Sequence, residues 1–106
     1  MVKEPHRGDV WWAEVSGVGR RPYLVLTREG AIPVLTRVVC APITRTVRDI
    51  PTELALGPDD GMPVDCVASF DNLLTVPKSS LASLITSLRL ARQVEMCGVL
   101  RTAMEC

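Results

Sequence analysis

The chain has 106 residues, 47% of them hydrophobic, and its 12 basic and 12 acidic residues cancel to a net charge of zero. This length fits one domain with a buried core, and the balance excludes a protein drawn to nucleic acid by its overall charge. The two halves differ, however. Residues 1–50 hold eight basic and five acidic residues, a net +3, whereas residues 51–106 hold four basic and seven acidic, a net −3. A basic face on this neutral protein is therefore conceivable.

Short strands separated by turn signals fill most of the chain. We expect residues 1–7 to form a flexible lead-in. Alternating and β-branched runs predict strands at 10–15, 23–27, 34–43, 52–56, 64–70, 72–76 and 84–88. From residue 89 the apolar period becomes helical and predicts a helix over 89–104. The pattern favours a single mainly β (α+β) domain over residues 1–106, a small barrel or curved antiparallel sheet with a C-terminal helix.

The predicted helix carries one marked apolar stripe. Its members fall at helical spacing and are Leu90, Val94, Cys97, Leu100 and Met104. Gly98 lies within the helix and costs roughly 1 kcal/mol relative to alanine. We therefore expect the helix to depend on packing this stripe against the sheet.

Four cysteines, Cys40, Cys66, Cys97 and Cys106, are too far apart in sequence for a C-x-x-C metal site or redox pair. Because the first three lie within apolar patterns, we expect reduced, buried thiols in a cytoplasmic protein. The first six residues lack the apolar core of a signal peptide, and no apolar run approaches the length of a membrane span.

Several catalytic motifs are missing from the sequence. There is one histidine, His6, so a mechanism with two histidines as acid and base cannot operate within one chain. No H-E-x-x-H, P-loop or glycine-rich dinucleotide turn occurs. The adjacent acids Asp59 and Asp60 lie in a Gly/Pro turn, where a solvated loop is the simpler interpretation. We expect no metal and no cofactor, and any catalysis would rest mainly on Arg, Thr, Ser and backbone groups.

Two apolar runs suggest a site. Arg20 and Arg21 open the run that continues to Leu26, and Thr44 closes the run from Val38. If these strands are neighbours, Arg21 and Thr44 could meet at one sheet edge, where a guanidinium beside a hydroxyl suits a phosphate. The alternative is an arginine paired with a nearby carboxylate and a threonine that caps a turn.

The order of motifs resembles the MazF/PemK toxin family, the ribonuclease halves of bacterial toxin–antitoxin pairs. The resemblance covers nearly the whole chain and rests on four segments in sequence: Arg7–Val15, Gly19–Leu26, Ala41–Thr44 and Asp65–Val76. It implies an SH3-like barrel with a C-terminal helix, a homodimer, and metal-independent cleavage of single-stranded RNA. It also implies neutralisation by a cognate MazE-type antitoxin, which would present an extended acidic segment to the RNA-binding groove.

Family positions can be transferred to individual residues. The arginine that precedes proline falls on Arg21 and the catalytic threonine falls on Thr44, so the resemblance implies that these two are catalytic. We expect lower-ranking RNA contacts from five further residues, Arg20, Arg45, Cys66, Asn72 and Trp11. Trp11 enters because two adjacent tryptophans on a strand point to opposite faces. One would be core and the other could stack on a base, although both could be merely structural.

The chain also departs from the family pattern. The first loop is short, and Asn72 and Leu74 stand where the family usually has Gln and Arg. The cleavage motif therefore cannot be transferred, and the target could be mRNA or a structured tRNA or rRNA. Two other functions stay open. One is a gyrase poison on the same fold, which the Ala103–Cys106 end argues against because it lacks the Trp-Gly-Ile ending. The other is a catalytically silent, protein-binding barrel.

Overall fold

The computed structural model describes residues 4–106, in which seven antiparallel strands precede one α-helix. Short 3-10 turns occupy Pro58–Asp60 and Lys78–Ser80. The strands are β1 Asp9–Val15, β2 Gly19–Val25, β3 Arg37–Thr44, β4 Glu53–Leu56, β5 Cys66–Ser69, β6 Leu74–Pro77 and β7 Leu81–Ser87, and the helix is α1 Leu90–Met104. The prediction of a mainly β domain with a C-terminal helix is confirmed.

Strand β3 is the centre of the sheet. The strand order is β4-β5-β3-β2-β1-β7, and β6 pairs with the first half of β3. The second half of β3 pairs with β5 instead, with Thr44 opposite Val67. Within residues 4–106 the two end strands β4 and β7 do not pair with each other, so the sheet stays open. One strand thus belongs to two parts of the sheet, and its last residue lies where they meet.

Side-chain alternation along β1 and β2 builds a core on each face of the sheet. Val10 and Leu24 face a first core beneath α1, whereas Trp11 and Tyr23 face a second, smaller one. Other buried members of the first core are Leu26, Ala41, Ile43, Leu54, Leu56, Met62, Cys66, Ala68, Phe70, Leu88 and Met96. The second core also holds Ala13, Val25, Ile32, Val38, Cys40 and Val76. With a core on both faces, the sheet itself is the rigid scaffold.

The first residues of β2 and β3 differ from the prediction, and these two differences bear on the site. Strand β2 begins at Gly19, so Arg20 and Arg21 lie inside the strand and not before it. Gly19 has φ +90°, which closes the hairpin from β1 without the strain a side chain would add. Strand β3 begins only at Arg37, because the preceding residues form a turn in which the N–H of Val34 donates to Ala31 O over 3.1 Å. The run we predicted as strand from residue 34 therefore starts in this turn.

The predicted packing face of the helix is wrong at Leu90, Val94 and Met104, which are exposed, whereas Leu100 of the same stripe does contact the first core. Leu90 is 76% exposed and Val94 66% exposed, whereas Met96 is fully buried. Behind Met96 the first core is contacted by the side chains of Val99, Leu100 and Ala103. This segment carries apolar residues on more than one side, so its periodicity does not decide which side packs. In the observed rotation Arg92 forms an ion pair with Asp60 at 3.0 Å and a hydrogen bond to Ala55 O.

Truncating Met96 to alanine is expected to lower the free energy of unfolding by about 2–5 kcal/mol, because it opens a cavity in the first core. The matched variant Leu90→Ala is expected to stay within about 0.5 kcal/mol of wild type, since Leu90 is already in solvent. Urea unfolding followed by circular dichroism measures both. Equal effects of the two substitutions would contradict the observed helix rotation.

Residues 4–7 of the predicted flexible lead-in are attached to the domain. Arg7 donates to Leu26 O and to Cys97 Sγ, and Glu4 forms an ion pair with Lys78 at 2.8 Å. His6 Nδ1 lies 3.0 Å from a Glu29 carboxylate oxygen. The rest of that prediction, residues 1–3, lies outside the described residues. The chain before β1 is therefore held at three points.

The pair of His6 and Glu29 makes stability depend weakly on pH. Its hydrogen bond raises the pKa of His6 above 6.5 and lowers the pKa of Glu29 below 4.5. The contribution of His6 to folding stability is thus complete below pH 6.5 and is lost as pH rises through its raised pKa. The contribution of Glu29 is complete above pH 4.5 and is lost as pH falls through its lowered pKa. Both groups are largely exposed, so we expect the pair to contribute less than about 1 kcal/mol to the free energy of unfolding.

Thermal unfolding of wild type and His6→Gln between pH 5 and pH 8 measures this contribution. The stability difference between the two is expected to be largest near pH 5.5 and to shrink toward pH 8. A difference that grows toward pH 8 would contradict the ion pair.

All four cysteines are free thiols. Cys40 and Cys66 are buried as predicted, and burial raises the pKa of Cys40 to about 12. Cys97 is only half-buried, since it lies beside Arg7 at the side of α1.

Helix α1 falls short of the length and apolarity that a membrane crossing requires.

Candidate active site

Strand register places Arg21 and Thr44 opposite each other. The β2–β3 ladder pairs Tyr23 with Pro42 and Val25 with Cys40. Continuing this register by two residues brings Arg21 opposite Thr44, at the end where the two strands begin to separate. Both residues line the same two clefts at this edge. The strand register therefore agrees with the prediction that Arg21 and Thr44 lie close together.

The Thr44 hydroxyl is held by a turn and keeps its proton available. Its Oγ1 accepts a hydrogen bond from the N–H of Thr46 over 3.1 Å. A hydroxyl that accepts one bond still has its own O–H to donate. Thr44 therefore does cap a turn, as the alternative interpretation held, and its hydroxyl is still free to donate to a ligand in the clefts that it lines.

Arg21 forms no ion pair with a carboxylate within residues 4–106. The other half of the alternative interpretation, an arginine paired with an acid, therefore does not apply. A half-buried guanidinium with unused donors is suited to an anionic ligand. Two residues along β2 is Tyr23, whose buried hydroxyl has no hydrogen-bond partner within residues 4–106 and whose pKa is raised by burial.

One cleft, which we call the apolar cleft, lies between the β1–β2 hairpin and the segment before β5 and has a volume of about 360 Å³. Its polar lining consists of Thr44 and three arginines, Arg20, Arg21 and Arg45. The Arg20 guanidinium lies over the Trp12 ring, 5.2 Å from the ring centroid. The remaining lining is apolar and comprises Trp12, Pro22, Ile43, Met62, Pro63, Val64, Cys66 and Ile85.

The second cleft, which we call the polar cleft, has a volume of about 200 Å³. Its only apolar lining residue is Pro42. The others carry donors or acceptors and are Arg21, Thr44, Thr46, Arg48, Ser69 and Asn72. Asn72 Nδ2 donates to Ser69 Oγ over 2.8 Å, which fixes the amide against a buried hydroxyl. Arg21 and Thr44 are the two residues common to both clefts.

Charge across the two clefts has one sign. Four arginines line them, Arg20, Arg21, Arg45 and Arg48, and no Asp or Glu does. None of the four forms an ion pair in the part of the chain that the structure describes. This concentration gives a neutral protein a local cationic surface, which attracts polyanions.

The structure brings most of the predicted site residues together. Arg20, Arg45 and Cys66 line the apolar cleft, and Asn72 lines the polar one. Cys66 is only 4% exposed, and burial, with Asp65 and Asp60 adding to it, raises the pKa of its thiol. Cys66 is therefore a neutral wall of the cleft.

The predicted RNA contact of Trp11 is wrong. Its indole is 4% exposed, packs in the second core, and donates from Nε1 to Asp9 over 3.1 Å. The half-buried tryptophan that does line a cleft is its neighbour Trp12. Alternation placed the two on opposite faces but could not say which face carried the cleft.

Four further residues of the polar cleft were not predicted as site residues, Pro42, Thr46, Arg48 and Ser69. Arg48 belongs to a basic stretch after Thr44, and that stretch was the one sequence signal for it. Ser69 is the last residue of a buried strand and reaches the cleft through β3–β5 pairing. No group of three or more His, Cys, Asp or Glu side chains able to hold a metal is found among residues 4–106.

An open antiparallel sheet whose cationic clefts contain no acid defines a small anion-binding domain. Comparison with known proteins narrows this class. Residues 6–104 match the model of the "PemK-like, MazF-like toxin of type II toxin-antitoxin system", so the chain belongs to that family.

Individual relatives support the same assignment. The chain is 36% identical to "Probable endoribonuclease MazF5" of Mycobacterium tuberculosis strain H37Rv, over 100% of this chain and 98% of the relative. It is 41% identical to "Probable endoribonuclease MazF2" of strain CDC 1551, over 94% and 98%. The solved "Endoribonuclease in complex with its cognate antitoxin from Mycobacterial species" superposes with a TM-score of 0.85 at 30% identity, over 95% of each chain.

Proposed function

We propose that this chain is the toxin of a type II toxin–antitoxin pair and that it cleaves single-stranded regions of mRNA, tRNA or rRNA without a metal ion. The observation that carries the proposal is the pairing of Arg21 with Thr44 where two acid-free, arginine-lined clefts meet. Relatives named endoribonucleases support it. They also favour this function over a gyrase poison or a silent binding barrel on the same fold.

The proposed reaction is an internal transesterification. The ribose 2′-oxygen attacks the adjacent phosphorus, the bond from phosphorus to the 5′-oxygen breaks, and a 2′,3′-cyclic phosphate forms. The 2′ proton is removed and the departing 5′-oxygen gains one, which leaves a 5′-hydroxyl end. Negative charge builds on the non-bridging oxygens during this step, so fixed donors at those oxygens lower the barrier.

Arg21 supplies a fork of donors to the developing charge, and Thr44 supplies one further hydrogen bond. We assign Arg21 to charge stabilisation and not to removal of the 2′ proton, because arginine has a pKa above about 12 and is a very poor base. Arg20, Arg45 and Arg48 would hold neighbouring phosphates. Binding strength is then expected to fall steeply as salt rises, because the release of counterions from RNA gains less free energy in concentrated salt.

The proposal includes partners. A structural relative was solved in complex with its cognate antitoxin, and we infer that a MazE-type antitoxin neutralises this chain by laying an acidic segment along the arginine-lined clefts. We also propose a homodimer that acts in the cytoplasm, where both RNA and reducing conditions for four free thiols are found.

The deciding experiment is cleavage of a long defined RNA by purified protein with EDTA present. Wild type is expected to cut and to leave 5′-hydroxyl ends. Thr44→Val keeps the side-chain shape but removes the donor, and should cut about 10²-fold more slowly. Thr75→Val is the matched control, because Thr75 is exposed on β6 and lines neither cleft.

Two results would contradict the proposal. Cleavage that EDTA abolishes would contradict the metal-independent reaction. A wild-type protein that cuts neither this RNA nor total cellular tRNA and rRNA would point to a binding barrel, and its protein partner would become the object of study.

A further inference from the structure

We propose that the two clefts divide substrate recognition between them. The apolar cleft would hold one base by stacking, whatever its identity, and the polar cleft would discriminate the base on the other side of the scissile phosphate. This inference rests on the proposed ribonuclease function and adds to it that only one of the two nucleotides beside the cut carries the sequence preference.

The shared residues set the geometry. Among residues 4–106, Arg21 and Thr44 are the two that line both clefts. A phosphate bound by this pair therefore sits at the junction. The two nucleosides that it joins would then reach one into the apolar cleft of about 360 Å³ and the other into the polar cleft of about 200 Å³.

The apolar cleft offers little with which to distinguish bases. Its donors are the three arginines and Thr44, which serve phosphates, and the rest of its wall is hydrocarbon, sulfur and indole. The half-buried Trp12 ring carries the Arg20 guanidinium on its face. Aromatic stacking tolerates any base, because every base has a π face. The cleft thus provides affinity without selectivity.

The polar cleft presents a fixed amide. Asn72 donates one Nδ2 hydrogen to Ser69 Oγ at 2.8 Å, and Ser69 is 5% exposed, so the hydroxyl anchors the amide in one orientation. Asn72 itself is exposed and keeps its Oδ1 acceptor and a second N–H for a ligand. An acceptor and a donor in fixed order separate bases that carry an amino group from bases that carry a carbonyl at the same position.

The test maps cut sites of the full chain on a long defined RNA by sequencing the 5′-hydroxyl ends. Asn72→Leu removes donor and acceptor at similar size. It is expected to reduce the preference between amino bases (A, C) and keto bases (G, U) at one nucleotide beside the cut by about tenfold. Trp12→Leu is expected to raise KM by about tenfold at every site and to leave the sequence pattern unchanged.

Gln93→Leu is the matched amide control, because Gln93 lies on α1 and donates to Leu88 O outside both clefts. Ser69→Ala gives a second route to the same result: it frees the amide and should weaken the preference at the same nucleotide. Thermal unfolding of each variant verifies folding.

The inference is overturned if Trp12→Leu changes the base preference, or if Asn72→Leu and Ser69→Ala both keep the wild-type profile. Failure of wild type to cut the RNA at all is a different result, and it counts against the ribonuclease function itself.

Discussion

Arg21→Ala is expected to lower RNA cleavage by about 10³-fold, because it removes the only guanidinium that both clefts share from the developing charge of the transition state. Stability should change by less than about 0.5 kcal/mol, since Arg21 forms no ion pair within residues 4–106. Single-turnover cleavage of a labelled RNA, beside a thermal melt, measures both effects.

Two companion variants sharpen this prediction. Arg21→Lys keeps the charge but loses the planar fork, so its rate should fall between wild type and alanine. Arg28→Ala removes an exposed arginine outside both clefts and should cut as wild type does. Equal losses in Arg21→Ala and Arg28→Ala would show that total charge matters and that the assigned role of Arg21 is incorrect.

Asp9→Ala is expected to lower the free energy of unfolding by about 3 kcal/mol or more. The Asp9 carboxylate is 3% exposed and accepts from the backbone N–H of His6 at 2.9 Å, from Trp11 Nε1 at 3.1 Å and from Ser87 Oγ at 2.6 Å. Alanine would leave these donors without a partner near the core, each at a cost of about 1–3 kcal/mol. The free energy of unfolding of a domain of this size is only about 5–15 kcal/mol in total.

Thermal denaturation of wild type and Asp9→Ala tests this prediction, and the melting temperature of Asp9→Ala should be lower by more than about 10 °C. Asp59→Ala is the control, because that carboxylate lies exposed in the turn before β5. If Asp9→Ala melts within a few degrees of wild type, the three hydrogen bonds do not hold the lead-in, β1 and β7 together as described.

Local patterns were sufficient for some elements and not for others. The alternation of Val10 to Val15 matches β1, because one face of that strand meets one core and the other face meets the second. The rotation of α1 could not be obtained in this way. Apolar residues lie on several sides of the helix, and the side that is buried depends on tertiary contacts, such as the ion pair of Arg92 with Asp60, that the helix sequence does not show. That contact joins residues 32 positions apart in sequence.

The same distinction applies to the site. Arg21 stands at the start of one apolar run and Thr44 at the end of another. Their proximity was therefore predictable once β2 and β3 were assumed to be neighbours. Ser69 reaches the polar cleft only because one edge of β3 pairs first with β6 and then with β5, and Arg48 lies in the segment that follows β3. No local pattern encodes that change of partner, so the polar cleft as a whole could not be predicted from the sequence.

Sharing one pair of residues between two clefts has a kinetic consequence. A ligand that fills either cleft alone already covers Arg21 and Thr44. A short acidic peptide seated on one side would therefore act as a competitive inhibitor of a substrate that spans both. Its inhibition constant would depend on a single cleft, so antitoxin segments of different length and entry route could silence the same enzyme.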